Sequence, residues 1–132
     1  MRHLILLAAI VLGGCTETNP PSEPKSRQDE RVSIIQVLAN PKEFDGKKVR
    51  LIGYLHIEFE SYALWLHRED HIHGILPNRI DIDANACADK VDQVNDKYVL
   101  LEGTFLILDK GTAQKRHILM DITRCQRWAE PR

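Results

Sequence analysis

Two segments of the chain share one pattern, in which apolar residues alternate with mostly polar ones around a central glycine. The first segment is centred on Gly53 and the second on Gly103. Such alternation is typical of a half-buried strand, and a glycine inside a long strand marks a bend or a close backbone approach. Two long bent strands are what a small sheet needs in order to curl closed. The alternating apolar residues are Val49, Leu51, Leu55, Ile57 and Phe59 in the first segment and Val99, Leu101, Phe105 and Ile107 in the second.

Shorter segments predict three further strands, at residues 62–67, 79–83 and 117–123. The last two alternate clearly, in the runs "RIDID" and "HILMDIT". Turn signals are expected at Asp45-Gly46, before the first long strand, and at residues 109–112, after the second. The sequence therefore predicts five strands, of which the first and fourth are long.

Two short helices accompany these strands. Ser33 is a good N-cap for a first helix that Pro41 ends, with Ile35 and Leu38 expected on its buried side. A second helix is expected over residues 84–94, between the third and fourth strands, because four apolar residues recur there at helical spacing. These four are Ala84, Ala88, Val91 and Val94.

The amino terminus, "MRHLILLAAIVLGGC", has the organisation of an export signal. Arg2 supplies a positive charge, and the apolar run 4–12 is too short to span a bilayer but suits a signal-peptide core. Leu12-Gly13-Gly14-Cys15 resembles the lipobox of bacterial lipoproteins at all four positions. An ordinary secretory signal followed by an incidental cysteine is the alternative.

The lipobox resemblance implies that residues 1–14 are removed and that Cys15 becomes a lipidated first residue. A diacylglycerol on its sulfur and a further acyl chain, such as palmitate, on its amine would form the membrane anchor. In proteobacterial lipoproteins Asp after this cysteine favours retention at the inner membrane. Thr16 stands there instead, which predicts the outer membrane, facing the periplasm, in a Gram-negative host.

Residues 15–31 are expected to be the lipidated cysteine and a disordered tether. The segment 16–31 contains three prolines and no aliphatic or aromatic residue, so it has nothing to pack. Extended, its length is at most about 50 Å. The chain of 132 residues is 43% hydrophobic and 28% charged, which suits one globular domain, expected over residues 32–129.

Five strands with a helix between the third and fourth resemble the OB-fold, a small Greek-key barrel. The entry "ANPKEFDGKKVRLIGYL", residues 39–55, is similar to the start of OB-like domains in bacterial envelope proteins and in small uncharacterised lipoproteins. The resemblance implies a mainly β, five-stranded OB-like barrel that binds a ligand, and it implies no reaction. Another small barrel or a half-open sheet is the alternative.

The OB resemblance also bears on the two cysteines that follow Cys15. In an OB-fold the third and fifth strands are parallel neighbours, so their ends lie at the same rim. Cys87 follows the third predicted strand and Cys125 the fifth. In the oxidising compartment outside the inner membrane the resemblance therefore implies a Cys87–Cys125 disulfide. Two separate thiols are the alternative.

Charge and motifs argue against several functions. The formal net charge is −1, and removal of residues 1–14 takes away one arginine, leaving 17 Lys and Arg against 19 Asp and Glu. No basic stripe is available to meet nucleic-acid phosphates, so no nucleic-acid partner is expected. The sequence contains no ordered catalytic motif and implies no cofactor, so an enzyme is not expected.

A binding or interaction module is the favoured function, with an envelope protein or glycan as the partner and the membrane reached through the acylated cysteine. Tyr54, Tyr62 and Trp65 are the candidate exposed surface, because such aromatics are enriched at interfaces. Ordinary packing of these rings in the sheet is the alternative.

The second hypothesis is a periplasmic lipoprotein that binds a transition metal. The stretch "LHREDHIHGIL", residues 66–76, is expected to be a polar loop between strands. His71 and His73 at i, i+2 would share one face of an extended segment, and zinc or copper accepts imidazole nitrogen. His67, Glu69 or Asp70 would supply a third ligand.

Overall fold

The computed structural model describes residues 13–14, 30–83, 85–109 and 115–129. The predicted signal peptide apart from Gly13 and Gly14, the lipidation site Cys15 and the tether up to residue 29 lie outside these residues, as do Ala84 and most of the expected turn at 109–112. Within the described part of the chain, no helix is long and apolar enough to cross a membrane.

The described residues form six strands and four short helices. The strands are β1 (Glu30–Arg31), β2 (Lys48–Glu58), β3 (Ser61–Trp65), β4 (Arg79–Ile82), β5 (Lys97–Leu108) and β6 (Arg116–Arg127). The helices are α1 (Ile34–Ala39), α2 (Pro41–Phe44), α3 (Arg68–Ile72) and α4 (Val91–Val94). Single 3-10 turns at Leu76–Asn78 and Ala88–Lys90 precede β4 and α4.

The fold is mainly β, and its sheet closes on itself. The strands follow the order β1-β2-β3-β4-β6-β5, and β2 also pairs with β5, so the five strands β2 to β6 form a ring. β4 and β6 are parallel neighbours, whereas β2 is antiparallel to both β3 and β5. This confirms the predicted mainly β fold with five principal strands. The short parallel pairing of β1 with β2 was not predicted. Glu30 and Arg31 were expected to belong to the disordered tether, and that assignment is wrong for these two residues.

The two central glycines lie where the backbone is crowded. A Cβ added at Gly53 would lie 2.6 Å from the carbonyl oxygen of Trp65, and one at Gly103 would lie 2.6 Å from that of Met120. Gly103 also lies at a register shift between β5 and β6. Both glycines therefore allow the close backbone approach that the sequence predicted.

Inward-facing residues of the long strands fill the ring. Val49, Leu51 and Leu55 of β2 are fully buried, together with Val99, Leu101 and Phe105 of β5. Phe59 was expected to continue this pattern of buried residues but does not. It lies in the turn after β2 and is 90% exposed. Because side chains alternate across a strand, the residues between these core positions face outward.

The first helix begins as predicted but buries a different face. Ser33 and Gln36 form a capping box: the Gln36 N–H donates to Ser33 Oγ, and the Ser33 N–H donates to Gln36 Oε1. Ile34 and Val37 are buried, whereas Ile35 is 59% exposed and Leu38 is half-buried. The expected burial of Ile35 is therefore wrong, because the helix is rotated by about one position.

Cys87 and Cys125 form a disulfide, with Cα atoms 5.7 Å apart. The parallel pairing of β4 with β6 brings these residues together, as the OB resemblance implied. Cys125 lies within β6 and not beyond its end, because that strand continues to Arg127. The bond joins the segment before α4 to the closing strand of the ring.

We expect removal of the disulfide to lower the stability of the domain. The cysteines are 38 positions apart, and the chain-entropy model gives roughly 4 kcal/mol for closing such a loop. Urea unfolding of the Cys87→Ser, Cys125→Ser double variant should therefore have a clearly lower midpoint than that of the oxidised wild type. Reduced wild type serves as the control and should match the variant. Equal midpoints for oxidised and reduced protein would contradict the expectation.

Candidate functional site

Helix α3 lies over the outer face of β2 and β3, where the sequence analysis placed a polar loop. Asp70 fixes this helix: its carboxylate accepts from the backbone N–H of His67 at 2.9 Å and from Asn78 Nδ2 at 2.9 Å. Asp70 is only 7% exposed, and both of its oxygens are engaged. The acidic pair Glu69-Asp70 in the first turn is a helix-start signal that could have identified α3.

His71 joins α3 to the sheet. Its ring stacks on His56 with a centroid distance of 3.8 Å and lies 6.0 Å from Tyr54 and 5.4 Å from Trp65. We call the side chains of Tyr54, His56, Trp65, His71 and Asp96 the outer-face cluster. The cluster is separate from the interior core and lies on the opposite side of the sheet.

Two of the three predicted surface aromatics belong to this cluster, but they are not exposed. Tyr54 is 5% and Trp65 is 4% exposed, because α3 covers them. Tyr62 is half-buried and packs against the interior core. The expectation of three exposed rings is therefore wrong for Tyr54 and Trp65, and Tyr62 does not join them.

The predicted arrangement of the histidines is also wrong. His71 and His73 do not share a face, because the segment is helical and residues two apart point in different directions. His71 contacts the sheet, whereas His67 and His73 at the two ends of α3 are exposed. Among the described residues, no three His, Cys, Asp or Glu side chains are arranged to hold a metal ion.

Asp96 is the polar centre of the outer-face cluster. Its Oδ1 lies 2.7 Å from Nδ1 of His56 and accepts from the Tyr54 hydroxyl at 3.1 Å. The hydrogen bond with His56 lowers the pKa of Asp96 below its ordinary value of 3.8. Burial, together with the bond to Asp96, raises the pKa of Tyr54. Nε2 of His56 lies 3.5 Å from Glu58, so this imidazole has a carboxylate on each side.

Trp65 is held from both sides. His71 covers one part of the ring, and the Arg79 guanidinium lies 5.5 Å from its centroid. In the described part of the chain its buried indole N–H has no hydrogen-bond partner. Trp65 therefore stabilises the contact between α3 and the sheet mainly through packing and a cation–π interaction.

Other buried charges are matched within the sheet. Asp81 pairs with Arg79 and Arg116, and Glu102 pairs with Lys48 and Arg50. Elsewhere, burial beside Phe105 lowers the pKa of His117. These groups are accounted for by packing and pairing, so they do not define a second cluster.

A pocket of about 600 Å³ opens beside the outer-face cluster. Its walls combine aromatic rings with cations, and we call it the basic pocket. Tyr54 and Asp96 of the cluster contribute to its wall. Its other principal residues are Arg68 at the start of α3, Lys97 and Tyr98 at the start of β5, Arg127 at the end of β6, and Trp128 directly after it.

Hydrogen bonds hold these walls together. The Tyr98 hydroxyl accepts from the backbone N–H of Arg68 at 3.3 Å. The backbone N–H of Trp128 donates to the backbone carbonyl of Tyr98 at 2.8 Å. Tyr98 therefore connects the helix side of the basic pocket to its strand side. Trp128 remains 42% exposed, so part of its ring is open to a ligand.

The charges of the basic pocket favour an anion. Arg68, Lys97 and Arg127 supply three positive charges, whereas Asp96 supplies one negative charge that already faces His56 and Tyr54. Guanidinium groups match carboxylate and phosphate geometry, and exposed aromatic rings provide flat surfaces for stacking. The pocket can therefore bind an anionic group next to a ring.

This pocket could not be identified from the sequence. Most of its residues lie at the starts and ends of separate elements, and Arg127 and Trp128 follow the predicted end of the last strand at residue 123. No family model matches the chain, and no curated protein matches its sequence.

We expect His71→Ala to loosen α3 from the sheet. Loss of the ring removes contacts with His56, Tyr54 and Trp65, and each such aromatic contact contributes about 0.5–1.5 kcal/mol. Thermal unfolding should shift to lower temperature, and Trp65 fluorescence should move to longer wavelength as water reaches the ring. His73→Ala, at an exposed neighbouring position, is the matched control. Equal behaviour of the two variants would contradict this account of α3.

Asp96 should contribute a small, acid-sensitive part of the stability. Because its folded pKa lies below 3.8, this contribution is complete above pH 3.8 and is lost as the pH falls through the folded pKa. The side chain is 51% exposed, so solvent screening limits the effect to less than about 1 kcal/mol. Urea unfolding above and below pH 3.8 should show a weaker pH dependence for Asp96→Asn than for wild type. Parallel pH profiles would argue against the interaction.

Proposed function

We propose that this protein is a lipid-anchored binding module of the bacterial cell envelope that holds an anionic ligand in the basic pocket. The observation that carries the proposal is the combination of three cations and exposed aromatic surface around one opening of about 600 Å³. This volume lies within the usual range for ligand sites. The proposal concerns binding and not catalysis.

An OB-type architecture is part of the proposal. The closed ring of β2 to β6, the parallel pairing of β4 with β6 and the helical segment between β4 and β5 support it. Ligands of OB-folds commonly bind on the second and third strands of the barrel, which correspond to β3 and β4 here. In this chain α3 covers Trp65 on β3, so the pocket beside β2, β5 and β6 is the more accessible site.

The membrane attachment rests on the amino-terminal sequence. The lipobox-like Leu12-Gly13-Gly14-Cys15 follows a short apolar run, and Thr16 favours the outer membrane, facing the periplasm. Lipid chains on Cys15 and a tether of at most about 50 Å would hold the basic pocket near the membrane surface. Membrane-bound or envelope-filling anions are therefore the ligands within its reach.

The ligand is best sought by recovering it with the protein. The full chain, expressed in a bacterium and purified from membranes in mild detergent at low salt, should carry anionic material that high salt releases. A variant with Arg68→Ala, Lys97→Ala and Arg127→Ala should carry much less.

The matched control removes three exposed cations outside the basic pocket, through Arg31→Ala, Lys42→Ala and Lys115→Ala. Mass spectrometry and assays for uronic acid and phosphate would quantify the released material. Control and wild type should carry equal amounts. Equal amounts in the pocket variant, or none in wild type, would count against the proposed function.

A further inference from the structure

A second pocket of about 500 Å³ adjoins the basic pocket. Lys97 and Arg127 line both pockets and form the wall between them. The other polar residues of the second pocket include Lys90, Asp92, Gln93 and Gln126, from the turn before α4, α4 itself and the end of β6. We call these two adjoining pockets the groove, which lies at the end of the ring where β5 starts and β6 ends.

We propose that this groove binds an acidic polysaccharide, with successive sugar units in the basic pocket and the second pocket. The inference rests on the proposed function and adds the class of ligand and a second subsite. We infer an elongated ligand because Lys97 and Arg127 line both pockets, so a molecule bound to these two side chains can extend into each pocket.

The charge distribution fits a chain with repeated negative charges. Two cations lie at the centre of the groove, with Arg68 on one side and Lys90 on the other. Two carboxylates, Asp92 and Asp96, oppose these four cations, and Asp96 is engaged within the outer-face cluster. Arginine binds a carboxylate with paired hydrogen bonds, so a uronic acid is well matched to the central Arg127.

The side chains of the two pockets favour a sugar chain over a single-stranded nucleic acid. Aromatic rings line only the basic pocket, through Tyr54, Tyr98 and Trp128. The second pocket has side-chain amides instead, from Gln93 and Gln126. Gln93 is exposed. Oε1 of Gln126 accepts from the Arg124 guanidinium, so the side-chain NH₂ group of Gln126 is left to donate to a ligand. Single strands bind by stacking successive bases on aromatic rings, which a pocket lined by amides does not provide. Hydroxyl groups of a sugar are suited to amide donors and acceptors.

The disulfide gives the second pocket a fixed wall. Cys125 itself lines this pocket and is bonded to Cys87, just before the turn that carries Lys90. The bond therefore holds the Lys90 side of the groove against β6. A wall that is ordered before binding lowers the entropy cost of holding an elongated ligand.

A length series tests this inference. Calorimetric titration of the full chain in detergent would use galacturonate, its α-1,4-linked dimer and its tetramer as probes. Maltotetraose is the neutral match, and a thymidine tetranucleotide is the nucleic-acid match. We expect the tetramer of galacturonate to bind at least tenfold more tightly than the monomer, and more tightly than either matched probe.

Two variants separate the pockets. Lys90→Ala with Gln93→Ala should keep monomer binding but remove the gain with length, because it alters only the second pocket. Arg68→Ala should weaken the monomer and the tetramer alike, and Lys42→Ala, a cation in α2 outside the groove, should change neither.

The outcomes distinguish the two proposals. If the monomer binds but the tetramer binds no more tightly, the second subsite is overturned and the proposed function still stands. Tighter binding of the thymidine tetranucleotide, or equal binding of maltotetraose, would overturn the acidic-sugar assignment. Failure of every anionic probe to bind would count against the anion-binding function and the polysaccharide inference together.

Discussion

Replacing Cys15 by serine should abolish acylation of the protein. The thiol is the attachment point that the lipobox resemblance implies, and serine offers no sulfur for the diacylglycerol. Each buried CH₂ group contributes about 0.8 kcal/mol to membrane binding, so two or three chains anchor a protein stably. Growth with a clickable palmitate analogue should label wild type strongly and Cys15→Ser not at all.

Membrane fractionation and intact mass measurement complete this experiment. Wild type should begin at residue 15 and carry two or three acyl chains, and it should stay with membranes in high salt. The Cys87→Ser, Cys125→Ser double variant is the control, because it removes the other two cysteines and should remain labelled. Palmitate labelling of Cys15→Ser, or an unlabelled wild type, would refute the lipid anchor.

Charge reversal at Arg127 should strongly lower the local concentration of anions at the basic pocket. The chain has two tryptophans, and only Trp128, in the basic pocket, is substantially exposed, whereas Trp65 is 4% exposed. Iodide quenching of tryptophan fluorescence therefore reports the local concentration of anions at the pocket. Arg127→Glu changes the charge by two units beside this reporter and should reduce the quenching by iodide.

Coulomb's law sets the expected magnitude. In water, a unit charge about 6 Å away changes an anion's energy by roughly 0.7 kcal/mol, which corresponds to about threefold in local concentration. At low ionic strength the quenching constant should therefore fall at least threefold in Arg127→Glu, and caesium quenching should rise. Lys42→Glu, with the same charge change in α2, is the matched control. Equal iodide quenching in Arg127→Glu and wild type would contradict the electrostatic account.

The strands could be predicted from the sequence because their signals are local. Alternation located β2 and β5, and the glycines at 53 and 103 identified the crowded backbone positions. The cysteine pairing was implied by the OB resemblance, in which the strands that correspond to β4 and β6 are parallel neighbours. The structure has both the parallel pairing and the disulfide. Local patterns therefore located the main strands, whereas the arrangement of these strands was expected only from the resemblance.

The site could not be predicted in the same way. The histidine-rich stretch was expected to be a polar loop, but Asp70 caps a helix there and His71 contacts the sheet. That helix buries Tyr54 and Trp65, which were expected to belong to an exposed aromatic surface. The basic pocket joins Arg68 to Arg127, residues far apart in the chain. Only the closure of the ring brings such residues together.

The most direct test of ligand binding in the basic pocket is to locate the residues that contact the ligand. Amide chemical shifts of the full chain in detergent, recorded by NMR during titration with tetragalacturonate, would identify the residues that meet the ligand. We expect the changes to concentrate at Arg68, Lys97, Tyr98, Arg127 and Trp128, and we expect high salt to reverse them. Changes confined to β3 and β4, the face that OB-folds commonly use, or no changes at all, would contradict this expectation.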